Sequence, residues 1–360
     1  MATPYMLPVV AVGGALIAIK LRRSAMVLTC LVVSLLFMAG MTMVAGNFSP
    51  SLLLIFILSS PIVFYITVMV TEPLTTPGTK KLQYAYAVFI GVVGSVPFVF
   101  GPVFNSPELT LILANLVFFG FTLRQRLTLV LKEKREIAEG ILECTFTPSR
   151  PLRFKAGQYL EWTLPHKKSD GRGIRRYFTI ASAPEDDGVA LTVRLSAEGS
   201  SFKNKLQDLD VGGKIFATAR GGDFVLPRQK KAKLLWIAGG IGVTPFVSQT
   251  KHLLATKQKI DATLFYCNRS QVDIAYEDLF AQSDRHGVSL VNVLNSPFAD
   301  WTGEVGFVTV GMLEKYVPDV TDRVCYISGP PGMVNAYVSL LKKVGVPGKN
   351  IKTDYFPGLA

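Results

Sequence analysis

Two glycine-rich turns carry the clearest chemistry in this 360-residue chain. The first, Gly239-Gly240-Ile241-Gly242-Val243-Thr244-Pro245, follows a continuous apolar run at 234–238 and precedes a helical stretch at 246–255. A buried strand that turns through glycines into a helix start lets backbone N–H groups approach a ligand closely, which suits the pyrophosphate of a dinucleotide. The second, Ser328-Gly329-Pro330-Pro331-Gly332-Met333, also ends an apolar run and opens a helix. Upstream lies Arg176-Tyr177-Phe178-Thr179-Ile180-Ala181-Ser182. In an extended strand Arg176 and Phe178 share one face and Thr179 takes the other. Together they offer a planar fork of donors, a ring that can stack and a hydroxyl. A further turn, Gly199-Ser200-Ser201-Phe202-Lys203, is rich in backbone and hydroxyl donors suited to a pyrophosphate.

The elements that must position these groups follow from periodicity. After Arg126 the chain runs in short alternating segments, at 127–131, 137–147, 159–164, 177–180, 189–195 and 214–219, separated by Gly, Pro and Asp. This pattern predicts a small antiparallel β-barrel, closed by the turn Gly221-Gly222-Asp223-Phe224. From Lys233 the pattern alternates between strands (234–238, 262–267, 324–328) and helices, which predicts an α/β domain on a parallel sheet. The expected organisation is multi-domain: a helical transmembrane domain over 1–124, an antiparallel barrel over 125–228 and a nucleotide-binding α/β domain over 229–360.

Four of these signals occur in the order and spacing of the ferredoxin–NADP reductase family, which the last 230 or so residues resemble. The heptapeptide matches the family's Arg-x-aromatic-Ser/Thr-x-x-Ser signature, the first glycine turn its GGxGxTP form, and the second its Gly-Pro-Pro-x-Met motif. The resemblance implies an FAD-dependent NAD(P)H oxidoreductase. Arg176 would then meet the flavin phosphate, Phe178 would stack on the isoalloxazine, and Thr179 would hydrogen-bond near flavin N5, where hydride arrives. Tyr177, Ser182, Gly199, Ser200 and Ser201 complete the implied FAD site. The NAD(P)H site would use Gly239, Gly240, Gly242, Thr244, Pro245, Ser328, Gly329, Pro330 and Met333, with Arg269 at the adenosine ribose. Relatives end in an acidic residue and an aromatic that covers the second flavin face, which map to Asp354 and Phe356. Thr179 and Phe356 are therefore the candidate catalytic contacts. The chain departs from the family at Phe178, where Tyr is usual, and at Ser328, which removes a thiol from the nicotinamide site. The cofactor would carry the chemistry, so no protein acid or nucleophile is required.

The first third has a different character. From Ser24 to Thr71 there are 48 consecutive uncharged residues. A spanning helix needs about 20 apolar residues, and residues 25–46, 51–71, 82–104, 109–123 and 5–19 are read as about five spans. Positive and uncharged connections alternate along them, which orients the large C-terminal region to the cytoplasm. No cleavable signal peptide is expected. The turn from Thr71 through Glu72, Pro73, Thr75 and Thr76 to Pro77 resembles one in membrane subunits of the Na+-translocating NADH:quinone reductase and Rnf complexes. Those subunits carry a flavin on a Ser-Gly-Ala-Thr motif that this sequence lacks. A plain cytoplasmic turn is the alternative reading of the same residues.

Several classes are disfavoured. The formal charge is +12, but Lys and Arg are scattered and form no basic stripe, so nucleic acid is not an expected partner. The four cysteines lack metal-ligand spacing, so no metal is expected, and they read as reduced, buried residues. His166, His252 and His286 all lie in the second part, which rules out haem held by paired intramembrane histidines. Expected partners are therefore NADH or NADPH, membrane lipid and an electron acceptor of undetermined kind, with a quinone or a second flavin in the membrane as one option.

Overall fold

The computed structural model describes residues 4–354 apart from 22, 73–74, 102, 121–125, 197–198, 228 and 230–231. The chain divides into two compact units, Met1–Arg124 and Gln125–Ala360.

The first unit contains α1 (Leu7–Lys20), α2 (Ser24–Val44), α3 (Pro50–Ser59) and α4 (Ile62–Phe64), which runs into a π-helical turn, Tyr65–Met69. Next come α5 (Lys80–Ser95), a hairpin of β1 (Val99–Phe100) and β2 (Val103–Phe104), and α6 (Pro107–Phe119). Two of the expected spans differ from this. The helix expected over 51–71 is broken, with a 68° bend between Pro50–Ser59 and Ile62–Met69. Pro61 explains it: the residue before a proline is pushed out of helical geometry, and Ser60 is extended (ψ 156°). The helix expected over 82–104 stops at Ser95, because Val96, which precedes Pro97, is extended (ψ 114°), and Gly101 (φ +60°) then turns the chain back in the hairpin. Among the described residues α2 alone is long and apolar enough to cross a membrane, or two segments if the bent pair counts as one; α1 and α6 are apolar but shorter.

The unit has a real core. Met26, Cys30, Tyr65, Ile66, Tyr86, Ile90, Ala114 and Phe118 are buried together. Gly91 lets α5 approach α2: a Cβ there would lie 2.8 Å from Val33 Cγ1 and 3.1 Å from the Cys30 carbonyl oxygen. The outward faces are nevertheless apolar, with Leu16, Leu28, Leu36, Val44, Leu54, Ile112 and Leu116 all exposed.

The second unit holds two six-stranded sheets. The antiparallel one comprises β3 (Leu127–Ala138), β4 (Ile141–Pro148), β5 (Tyr159–Thr163), β6 (Arg175–Thr179), β7 (Val189–Arg194) and β8 (Lys214–Gly221), with α7 (Ser201–Gln207) between β7 and β8. Its order is β6-β5-β8-β3-β4-β7. The edges approach each other where Ala181 N donates to the Ala190 carbonyl at 2.9 Å, just beyond β6. The run at 137–147 is not one strand: Gly140 (φ +66°) turns it between β3 and β4.

The parallel sheet comprises β9 (Lys233–Gly239), β10 (Asp261–Asn268), β11 (Val288–Leu294), β12 (Glu304–Val305), β13 (Val324–Ser328) and β14 (Ile351–Asp354). Helices α8 (Thr244–Ala255), α9 (Glu277–Ser283), α10 (Val310–Tyr316) and α11 (Pro331–Lys343) connect them. The order is β12-β11-β10-β9-β13-β14. Chain order therefore reverses between β9 and β13, the place where open parallel sheets leave a crevice at the carboxyl ends of their strands. Leu235, Ile237, Phe265, Val293 and Ile327 fill one face of this sheet, and Trp236, Ala238, Phe246, Leu264 and Tyr266 the other.

Candidate functional site

At that crevice the two glycine motifs meet. Ala238 pairs with Ser328, so both turns leave adjacent strands at the same level. A Cβ at Gly242 would lie 2.5 Å from the Ser328 carbonyl oxygen, and one at Gly239 would lie 2.7 Å from Met333 Cε. Only glycine permits this approach. Gly240 is different: nothing lies near it, but its φ of +51° is the left-handed region that glycine adopts freely. After a 3₁₀ turn (Gly240–Val243), α8 begins with Thr244 and Pro245, and proline suits a first helical turn because that N–H has no partner within the helix. Pro331 opens α11 in the same way, with Pro330 at its N-cap. Arg269 is exposed just after β10, and its carbonyl accepts from Ser296 N at 2.7 Å.

The heptapeptide lies on edge strand β6. Arg176 and Phe178 are half-buried on one face beside α7, with the Phe178 ring 5.7 Å from Phe202. Tyr177 points the other way and is 40% exposed, edge-on to Tyr159 at 5.7 Å. Thr179 is buried, and its Oγ1 has no hydrogen-bond partner among the described residues. Ser182 Oγ accepts from Ala190 N (3.0 Å), which braces the chain beyond β6 against β7. Ser200 caps α7 by accepting from Lys203 N (3.3 Å), and Gly199 is held by a bond from its N–H to the Ser196 carbonyl (2.9 Å). Ser201 Oγ lies 2.9 Å from His166 Nε2 and accepts from Asp170 N (2.9 Å). Phe356 falls outside the described residues, while Asp354 ends β14.

Several residues here carry no sequence signal. Ser248, on α8, donates to the Ser182 carbonyl (2.6 Å) and accepts from Gly157 N (3.3 Å). Gln249 donates to the Phe224 carbonyl (2.8 Å). The α/β domain's first helix is thereby fastened to the chain beside Thr179. A second clamp joins the sheets elsewhere. Tyr276 (φ +61°) donates to buried Glu143 at 2.6 Å and lies 2.6 Å from Thr192 Oγ1; burial, then the Glu143 charge, holds its phenol neutral. Arg194 pairs with Asp273 at 2.8 Å. Asp170, Arg172 and Lys203 gather beside Arg176: Arg172 and Arg176 both donate to Asp170 at 2.9 Å. The Arg172 guanidinium, ahead of backbone donors and Arg176, holds the Asp170 carboxyl well below its usual range. Sequence spacing cannot reveal these, because a charged residue in a glycine-rich loop reads as a solvated turn.

All four cysteines are free. Burial pushes the thiols of Cys144, Cys267 and Cys325 up to about 12, so they are poor nucleophiles. Among the described residues no group of His, Cys, Asp and Glu is arranged to hold a metal.

An antiparallel sheet fastened to a parallel-sheet domain, with two glycine turns meeting at a switch point, defines a two-domain dinucleotide-binding oxidoreductase. Residues 236–339 match the oxidoreductase NAD-binding domain family. The reductase subunit of an aromatic O-demethylase from an Amycolatopsis species is 30% identical over 238 residues, 64% of this chain and 69% of that protein. The ferredoxin reductase component of 3-ketosteroid-9-alpha-monooxygenase from Mycobacterium tuberculosis is 29% identical over 59% of this chain. This chain spans only 57% of that protein's length. The crystal structure of the Amycolatopsis cytochrome P450 reductase GcoB superposes with a TM-score of 0.57 at 30% identity, covering 64% of this chain and 70% of that one. The chain belongs to the FAD- and NAD-binding, ferredoxin reductase-like oxidoreductases. The site fits both cofactors. The orphaned Thr179 hydroxyl is a buried group awaiting a partner, and the glycine crevice is a cradle that Cβ atoms would fill.

Proposed function

We propose that this protein is a membrane-anchored reductase that draws electrons from NAD(P)H through FAD to an acceptor at the membrane, a quinone or a second flavin. The observation that carries the reductase half is the convergence of Gly239–Gly242 on Ser328–Met333 beside a domain that buries an unpartnered Thr179 hydroxyl. Backbone N–H groups of the first turn and of α8 receive the nucleotide diphosphate, and Ser328, Pro330 and Met333 shape the nicotinamide end. Arg176, with Gly199, Ser200 and Ser201, holds the flavin phosphates. Phe178, Tyr177 and Thr179 would border the ring, and the Thr179 hydroxyl would supply a hydrogen bond near its reactive edge. Bound FAD supplies the chemistry, accepting two electrons as hydride and releasing them singly or in pairs. Ser248 and Gln249 keep the two cofactor sites at a fixed spacing, which matters because misplacement by about 1 Å can cost about a hundredfold in rate. By the family resemblance Phe356, which lies outside the described residues, would cover the second ring face.

The anchor rests on the outward-facing leucines and valines of the first unit and on the alternation of positive connections, which puts the reductase in the cytoplasm. The break at Pro61 and the turn after Thr71 favour a site for an acceptor, in keeping with the likeness to membrane subunits of the quinone-reductase and Rnf complexes. A second reading has its own support: the relatives named above are the reductase subunit of an O-demethylase and the ferredoxin reductase component of a monooxygenase, which favours a soluble acceptor with the helices only a tether.

The test is the absorption spectrum of detergent-purified full-length protein before and after anaerobic NADH, and then NADPH. A flavin band bleached by one nucleotide is expected and names the donor. Two flavins per chain would support the membrane acceptor. A band that neither nucleotide bleaches would sink the proposal.

A further inference from the structure

The anion seat beside α7 is already filled by the chain itself. The Asp170 carboxylate accepts from Arg172 N (2.9 Å), Arg172 Nη2 (2.9 Å), Arg176 Nη2 (2.9 and 3.2 Å) and Ser201 N (3.1 Å). Arg176 Nη1 donates to the carbonyls of Arg172 (3.0 Å), Gly173 (2.8 Å) and Arg175 (2.7 Å). Both terminal nitrogens of this arginine, whose side chain is only 14% exposed, are thus spent on its own loop. One more cation faces the same place. Lys203 is half-buried, and its amine is pushed down first by that burial and then by Arg172, Arg194 and Arg176. Three cations, Arg172, Arg176 and Lys203, therefore share one carboxylate, Asp170. An excess of two positive charges in a half-buried cluster matches a diphosphate. A carboxylate and a phosphate also use the same donors, and two anions cannot share one set of them.

We propose that Asp170 is an internal stand-in for the FAD diphosphate: it holds Arg172, Arg176 and the Ser201 N–H in an anion-bound arrangement, and it leaves when FAD takes the seat. This rests on the reading that Arg176 and Ser201 hold the flavin phosphates. Asp170 can leave because its loop is hinged by Gly171 and Gly173, both in open space, with Gly173 at φ +69°. The swap keeps three cations from facing one another in the cofactor-free protein. It also makes Asp170 a determinant of flavin affinity, and it penalises only flavins that bring phosphate. Lys203, freed of part of the repulsion once the diphosphate arrives, becomes an additional ligand to it.

Flavin-stripped full-length protein, titrated with FAD and with riboflavin, tests this in wild type, D170N, D170A and R176A. Removing the competing charge should tighten FAD binding at least about fivefold in both Asp170 variants. Riboflavin binding should not change, and the flavin-free variants should melt below wild type. If FAD affinity is unchanged or weaker in both while R176A loses it, Asp170 is a fixed buttress and the proposal fails although the phosphate site stands. If R176A binds FAD as wild type does, the phosphate reading fails and takes the proposal with it. Should the Asp170 variants not fold, wild type still decides: hydrogen exchange at the Asp170 N–H, now bonded to Ser201 Oγ, must speed up when FAD binds. Slower or unchanged exchange would overturn the proposal.

Discussion

At Thr179 the chain buries a hydroxyl that no described protein group bonds. An unsatisfied buried polar group costs about 1–3 kcal/mol, so folding alone would favour valine, which has the same shape. Retaining threonine makes sense if the missing partner is the flavin. T179V should therefore melt above wild type when flavin-free. With FAD bound it should be reduced by NAD(P)H roughly 10–100-fold more slowly, the range for one lost hydrogen bond in a dry site. Stopped-flow flavin bleaching measures this; a wild-type rate in T179V would remove Thr179 from the hydride step. The sequence exposes Thr179 because its neighbours form a motif. It does not expose Asp170, whose importance comes from Ser201, 31 residues away along the chain. Nor does it expose Ser248, which meets Ser182 across 66 residues.

At the scale of elements, the strand–glycine–helix units are legible because the physics that makes them is local: an apolar run, glycines where backbones touch, and proline at a helix start. What is not local is how closely the two turns pack, and that distinguishes glycines that look alike in sequence. A methyl at Gly242 meets a backbone carbonyl on the neighbouring turn, which cannot shift without moving β13. A methyl at Gly240 meets nothing and pays only for its positive φ, about 1 kcal/mol. G242A should thus weaken NAD(P)H binding at least tenfold or destabilise the α/β domain by about 2–3 kcal/mol. G240A should stay within about 1 kcal/mol of wild type in stability. Titration of nucleotide against each variant, with thermal melts, checks the ranking; G240A as damaging as G242A would mean that the crevice geometry is wrong. Local reading fails where one residue breaks a segment whose pattern continues, as where Gly140 turns the chain between β3 and β4 and where Pro61 bends it in the first unit. Periodicity there continues across a break that only one backbone angle records.

At the scale of the whole chain, composition separates the two units, yet it leaves open what solvent the first one faces. Its core is ordinary, with Tyr86 and Phe118 in edge contact at 5.3 Å and a hydrogen bond from Arg23 Nη1 to the Thr71 carbonyl at 2.6 Å. Its outside is not ordinary: Leu28 and Leu36 on α2 are 61% and 67% exposed, eight residues apart on a helix with no charge. Lone exposed leucines mean little, but a whole helix face of them is stable in lipid and a liability in water. Lysine distinguishes the two settings. On a water-facing surface such a change stays within about 0.5 kcal/mol, whereas in the middle of a bilayer each lysine costs about 2.5–3.5 kcal/mol. The double variant L28K/L36K should therefore leave the membrane fraction, or lose the carbonate-resistant part of it, while Gln125–Ala360 keeps its flavin and its bleaching by nucleotide. If the variant stays with membranes as wild type does, α2 does not face lipid. If wild type itself is released by carbonate, the first unit is a water-facing bundle, and the acceptor must be sought among soluble carriers.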